Sequence, residues 1–160
     1  MSKMDFYKNT LLEYIGATVE RKIDRVLWIS PEGSTVVLIQ INDKHALPRF
    51  CKAAELDDLL KIGALRRLQS DPFSDPSRDE ENIAESYQKY RDGAWSLIAP
   101  VIQMPGTDAF DRRKRGPTVE KIYRSTRTSK WLIYQNLRRY WQGGQTKNAL
   151  LPKFRNCGAT

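Results

Sequence analysis

Lys130, Trp131, Tyr134, Gln135 and Arg138 fall within the stretch KWLIYQNLRRYWQ, and together they carry the chemistry that reads the edge of a DNA base pair. Arginine and lysine donate to guanine O6 and N7, glutamine pairs with adenine, and an aromatic side chain covers a sugar or a thymine methyl. Around them stand groups suited to phosphate oxygens: the run Arg112, Arg113, Lys114, Arg115, then Arg127, Ser129, Arg139 and Lys147. Exposed N–H groups at a helix start add to that set. The bland reading of the same residues is a solvated cationic helix face, with the RRKR run as a charged loop.

The distribution of charge favours a polyanion. Residues 111–160 carry 13 Lys and Arg against two acids, Asp111 and Glu120, whereas residues 1–110 carry 14 against 17. The formal net charge of +8 is therefore confined to the last third of the chain, which is the electrostatic footprint of a nucleic-acid partner. Other chemistries find little support. His45 is the single histidine, which excludes a histidine-based metal cluster or triad, and Glu55, Asp57 and Asp58 beside Lys61 read as the solvated face of a short helix. Cys51 and Cys157 are far apart, with no spacing that suits a metal or a disulfide framework. No cofactor and no metal site are expected in this chain. No apolar run, Val36 to Ile39 included, approaches the roughly 20 residues of a membrane helix, and MSKMDFYKNT lacks a signal-peptide core. A cytoplasmic, nucleoid-associated protein without a membrane partner is expected.

The elements that would position these residues follow from periodicity. GATVERKIDRVLWIS and TVVLIQI, either side of Pro31 to Ser34, predict a β-hairpin; PRFCKA, ELDDLLKIG and ALRRLQ predict a strand, a short helix ending at Gly63, and another strand. Two Asp-Pro pairs and a cluster of acids in DPFSDPSRDEE predict a linker. Beyond it Ile83, Tyr87, Tyr90, Ala94, Leu97 and Val101 recur at helical spacing, with Pro100 expected to kink or end the helix. A second helix is expected from the N-cap Asp111 to Tyr123, with an interruption at Gly116-Pro117 and Val119, Ile122 and Tyr123 inward. After the polar turn RSTRT, a third runs from the N-cap Ser129 to Trp141, where Gly143-Gly144 stops it. Ile133, Leu137 and Tyr140 or Trp141 share its inner face, and Lys130, Tyr134, Gln135 and Arg138 are expected opposite. The fold class is α+β. A small β-barrel or roll is expected over residues 1–72, an acidic linker over 73–81, a helix-turn-helix domain over 82–144 and an extended connector over 145–160.

The run from Ser129 through Gly158 also resembles the N-terminal DNA-binding region of TnsB-family transposases, the DDE strand-transfer subunits of heteromeric bacterial transposons. The residues that carry the likeness are Leu137-Arg138-Arg139-Tyr140-Trp141, Gly144-Gln145-Thr146-Lys147-Asn148-Ala149-Leu150, and Pro152-Lys153-Phe154-Arg155-Asn156-Cys157-Gly158. Cys157 departs from the small polar residue more usual there. The resemblance implies sequence-specific binding of transposon-end double-stranded DNA, with an endonuclease subunit and an AAA+ regulator as partners of the full protein. It also implies a catalytic domain using Mg2+, which this chain lacks. The alternative is a freestanding helix-turn-helix transcriptional regulator, whose β-rich part binds a ligand or dimerises. A third class is an interaction module for which DNA is incidental.

Overall fold

A computed structural model of the chain describes residues 6–16, 20–73 and 83–152. The chain divides into two compact units, Met1–Pro72 and Phe73–Thr160. Most of the acidic segment 73–81 lies outside the described residues, as do 153–160 of the expected connector and Cys157.

The first unit is an antiparallel sheet of β1 (Leu11–Tyr14), β2 (Lys22–Ile29), β3 (Thr35–Gln40), β4 (Arg49–Lys52) and β5 (Leu65–Leu68), with helix α1 (Ala53–Lys61) between the last two strands. The strand order is β4-β3-β2-β1-β5. The expected hairpin closes over Pro31 to Ser34, where the Ser30 hydroxyl accepts the N–H groups of Ser34 and Thr35, each at 3.0 Å. The alternation of a strand sets Leu12, Val26, Val36 and Leu38 in one core with Phe6, Leu65, and Ala53 and Leu56 of α1. Two expectations are corrected here. The sheet is open rather than a closed barrel: β4 and β5 are its two edges, and β4 runs directly into α1 instead of reaching across to pair. Strands are also expected only from Gly16 onward, whereas β1 precedes it and pairs with both β2 and β5.

Cross-strand ion pairs make the inner strands acceptable to their acids. Glu13 of β1 is buried, and its carboxylate accepts from Arg21 and from Arg66 of β5; those bonds hold its pKa below the usual carboxylate range. Asp24 of β2 is fully buried and takes both ends of the Arg49 guanidinium, which also donates to the Tyr14 hydroxyl at 3.2 Å. Burial first, and then the Asp24 carboxylate, push the Tyr14 hydroxyl far above its ordinary pKa.

The second unit holds α2 (Glu85–Ile102), α3 (Arg112–Thr126) and α4 (Lys130–Gln142), with single 3-10 turns at Asp108–Phe110 and Lys147–Leu150. Both expected caps form: the Asp111 carboxylate accepts the Arg113 N–H at 2.9 Å, and the Ser129 hydroxyl accepts the Leu132 N–H at 3.2 Å. Several helix details differ from expectation. Helix α2 continues past Pro100 to Ile102, because the proline sits at an exposed position one turn from the helix end, where one missing hydrogen bond is tolerated. Its buried positions include Ile98 and Val101, while Tyr90 is exposed. Helix α3 passes through Gly116-Pro117 unbroken, since a glycine has no Cβ to meet the ring of the proline that follows it. Tyr123 is on the surface, leaving Val119 and Ile122 inward, and α3 runs on through Thr126, so the turn before α4 is shorter than RSTRT.

The double glycine has two separate physical origins. Gly144 takes φ = 99°, and the N–H of Gln145 reaches back to the Tyr140 carbonyl at 2.8 Å, a Schellman ending that requires a left-handed residue at that position. Gly143 has an ordinary φ of −88°, but a Cβ there would stand 2.5 Å from the Ala149 side chain and 2.8 Å from the Arg139 carbonyl. The chain then folds back: Ala149, Leu150 and Leu151 are buried, Arg91 donates to the Asn148 side chain at 2.8 Å, and Lys147 pairs with Asp92 at 3.2 Å. Residues 146–151 are thus a packed turn of this unit, where an extended connector is expected from 145 onward.

Candidate nucleic-acid interface

From Arg112 to Gln142, helices α3 and α4 and their turn carry ten Lys and Arg and one acid, Glu120. Helix α4 packs inward through Ile133, Asn136, Leu137, Tyr140 and Trp141, all buried. The Trp141 ring lies 6.3 Å from that of Phe110, and the Tyr140 ring 5.7 Å from that of Trp95. At about 100° per residue, this fixes the opposite side of α4 as Trp131, Gln135, Arg138 and Gln142, one residue per turn. Trp131 is 67% exposed, far more than a side chain of that size retains in a core. The stripe carries an aromatic ring, two carboxamides and a guanidinium along one line, with Gln135, Arg138 and Gln142 half-buried.

The structure sorts the sequence-derived residues into two groups. Lys130 and Tyr134, expected on the outward side, both turn toward α3. The Lys130 ammonium pairs with Glu120 and lies 5.6 Å from the centre of the Tyr123 ring. The Tyr134 hydroxyl accepts from Arg115 at 3.3 Å. Arg115 itself is 2% exposed, so it is no phosphate ligand; it also donates to the Ala109 carbonyl at 3.1 Å and stacks near the rings of Tyr134 and Trp141. Arg139 is likewise engaged within the unit, donating to the Leu151 carbonyl and, at 3.4 Å, to the Tyr90 hydroxyl. Lys147 is paired with Asp92 and Lys114 with Asp108, although both cations remain partly exposed.

Arg112, Arg113 and Arg127 are exposed and make no ion pair among the described residues. Arg112 and Arg113 occupy the first turn of α3, where cations oppose the positive end of the helix dipole. That arrangement suits an anion at the same helix end. Arg127 ends α3 in the left-handed conformation at φ = 60°, and Ser129 opens α4 three residues before the amide it caps. Two further residues join this surface: Gln142, one i+4 step from Arg138 in the sequence, and Lys121, exposed on α3.

Elsewhere the chemistry is structural. Burial pushes the Cys51 thiol above its ordinary pKa, which disfavours a thiolate. Among the described residues there is no cluster of three His, Cys, Asp or Glu side chains able to hold a metal ion, and no helix is long and apolar enough to cross a membrane.

Two family models match the chain in order. Residues 5–72 match the TnsB N-terminal SH3-like domain, and residues 91–154 match the TnsB second domain. The chain is also 35% identical over 129 residues to the transposon Tn7 transposition protein TnsB of Escherichia coli. That alignment covers 80% of this chain and 18% of the relative.

Proposed function

The chain belongs to the TnsB family, its two compact units matching that family's first two domains, and on that premise we propose that its second unit binds the double-stranded DNA of transposon ends as a helix-turn-helix. Helix α4 enters the major groove, α3 braces it, and Trp131, Gln135, Arg138 and Gln142 face the base edges. Arg112, Arg113, Arg127 and Ser129, with Lys114 and Lys121 beside them, meet phosphates. The observation that carries this reading is the outward stripe of α4, aromatic and hydrogen-bonding throughout, on a helix pair with ten cations and one acid. Arg115 and Arg139 act indirectly, by fixing the helices, and Lys130 and Tyr134 flank the reading stripe.

In this reading the chain contributes end recognition to a transposase whose strand-transfer chemistry and magnesium belong to a different domain. An endonuclease subunit and an AAA+ regulator are the partners of that larger assembly. The test is a salt series of binding titrations on the transposon-end duplex and on a scrambled duplex. Binding should weaken with a log–log slope of about −0.9 per phosphate contact. Gln135→Ala and Arg138→Ala should each cost about 1–3 kcal/mol on the end sequence and little on the scrambled one. A folded wild type that binds neither duplex at low salt overturns the reading, and unaltered discrimination in both variants overturns the role given to α4.

A further inference from the structure

Glu120 is the sole acid of the helix pair, and the structure commits both of its oxygens. One accepts from the Arg124 guanidinium at 3.1 Å, a turn further along α3, and the other from the Lys130 ammonium at the start of α4. The cations are 76% and 53% exposed and the carboxylate 34%, so the cluster is on the surface. Tyr123, 42% exposed, closes one side by lying beneath the Lys130 ammonium. The hydrogen bond from Lys130, and then that from Arg124, hold the Glu120 pKa below the usual carboxylate range, so the carboxylate is charged at neutral pH.

A helix-spaced ion pair at the surface contributes little to stability. That is a small return for the one negative charge in a helix pair that carries ten cations. We propose that Glu120 is a specificity-determining positioning residue: it withholds Lys130 and Arg124 from the DNA backbone and so weakens binding that rests on charge alone. The proposal rests on the DNA-binding reading given above. Non-specific affinity arises almost entirely from counterion release, so each cation held internally removes about one unit from the salt slope. Contacts of the outward stripe with bases are left untouched. The ratio of cognate to scrambled affinity therefore rises.

Glu120→Gln tests this on the intact 160-residue chain, with circular dichroism and thermal unfolding as folding controls. It should steepen the log–log salt slope by about one to two units. At 0.1 M salt it should tighten scrambled-duplex binding on the order of tenfold per released cation, and it should reduce the cognate-to-scrambled ratio. In the same background, Lys130→Gln should remove about one unit of the added slope. A merely structural pair would instead weaken both duplexes alike and leave the slope where it was. Either that result or an unchanged slope in a folded variant overturns the proposal. Absence of DNA binding by the wild type overturns the reading beneath it, which separates the two failures.

Discussion

Gly143→Ala adds one methyl group at the point where helix α4 meets the packed turn, and its cost can be worked from the geometry. The new Cβ would stand 2.5 Å from the Ala149 Cβ and 2.8 Å from the Arg139 carbonyl oxygen. Carbon atoms rest at about 3.5–4.0 Å, so roughly 1 Å must be found. The carbonyl belongs to the helix and cannot give much, so the movement falls on the turn Lys147–Leu150. That turn is held by the Arg91–Asn148 and Asp92–Lys147 contacts and by Arg139 on the Leu151 carbonyl. Peeling it away would expose Leu150 and Leu151, both fully buried, at about 1.5–3 kcal/mol each. Strained accommodation is the cheaper route, and overpacking of this kind costs about 1–3 kcal/mol. For a unit of this size that corresponds to a fall in melting temperature of about 4–8 °C per kcal/mol. The assay is thermal unfolding followed by tryptophan fluorescence, with Trp95, Trp131 and Trp141 reporting on the second unit. Gly93→Ala is the control, since a Cβ there meets nothing within 4 Å and the residue sits inside α2. It should stabilise by about 0.5–1 kcal/mol. If Gly143→Ala unfolds at or above the wild-type temperature, the close approach of turn and helix is not a constraint and the reasoning fails.

Arg115→Ala should destabilise the second unit by about 2–4 kcal/mol in urea titrations, because it strands the Ala109 carbonyl and empties space against Trp141. Arg113→Ala should leave the urea midpoint unchanged and flatten the DNA salt slope by about one unit, as expected of a cation whose side chain forms no ion pair among the described residues. Glu13 has a folded-state pKa below its unfolded value, so its contribution is present above the ordinary carboxylate range and is lost as pH falls through that range toward the lowered pKa. Acid titration of the first unit's stability should therefore be shallower in Glu13→Gln over that window. Residues 73–160 produced alone should give a helical circular dichroism spectrum and a cooperative melt; a broad, non-cooperative signal would mean that the two units share a core.

Local signals in the sequence located most elements, and long-range partners account for what it concealed. Asp111 and Ser129 were legible as caps because capping chemistry is decided within three residues. The inner face of α4 was legible because a packed helix repeats every 3.6 residues. Strand β1 was not, since LLEY is four residues long and places a glutamate in the interior; the arginines that make Glu13 tolerable arrive from Arg21 and from Arg66, 53 positions away. Arg115 looked like one more cation of a basic run. Its spacing to Val119 and Ile122 on the buried side of α3 was the available signal, but its partners Ala109 and Tyr134 belong to other elements. Lys130 and Tyr134 were placed on the outward side by helical arithmetic too coarse to separate the outer stripe from its flank. Arg139 gave no signal at all, because the Leu151 carbonyl and the Tyr90 hydroxyl reach it only through the folded turn.

The turn that seats Leu150 and Leu151 also sets how much slack the chain has. An extended segment from Gly143 to Leu151 would reach up to about 30 Å, and a free one would let whatever follows it wander around the end of α4. Folded and pinned at Arg91, Asp92 and Arg139, those residues contribute almost no reach. The fixed part of this unit therefore extends to Leu151 rather than ending with α4. The direction in which the chain leaves Leu151 is tied to the face that α4 presents outward, so rotating the helix by one residue would re-aim the chain as well as change the side chains offered.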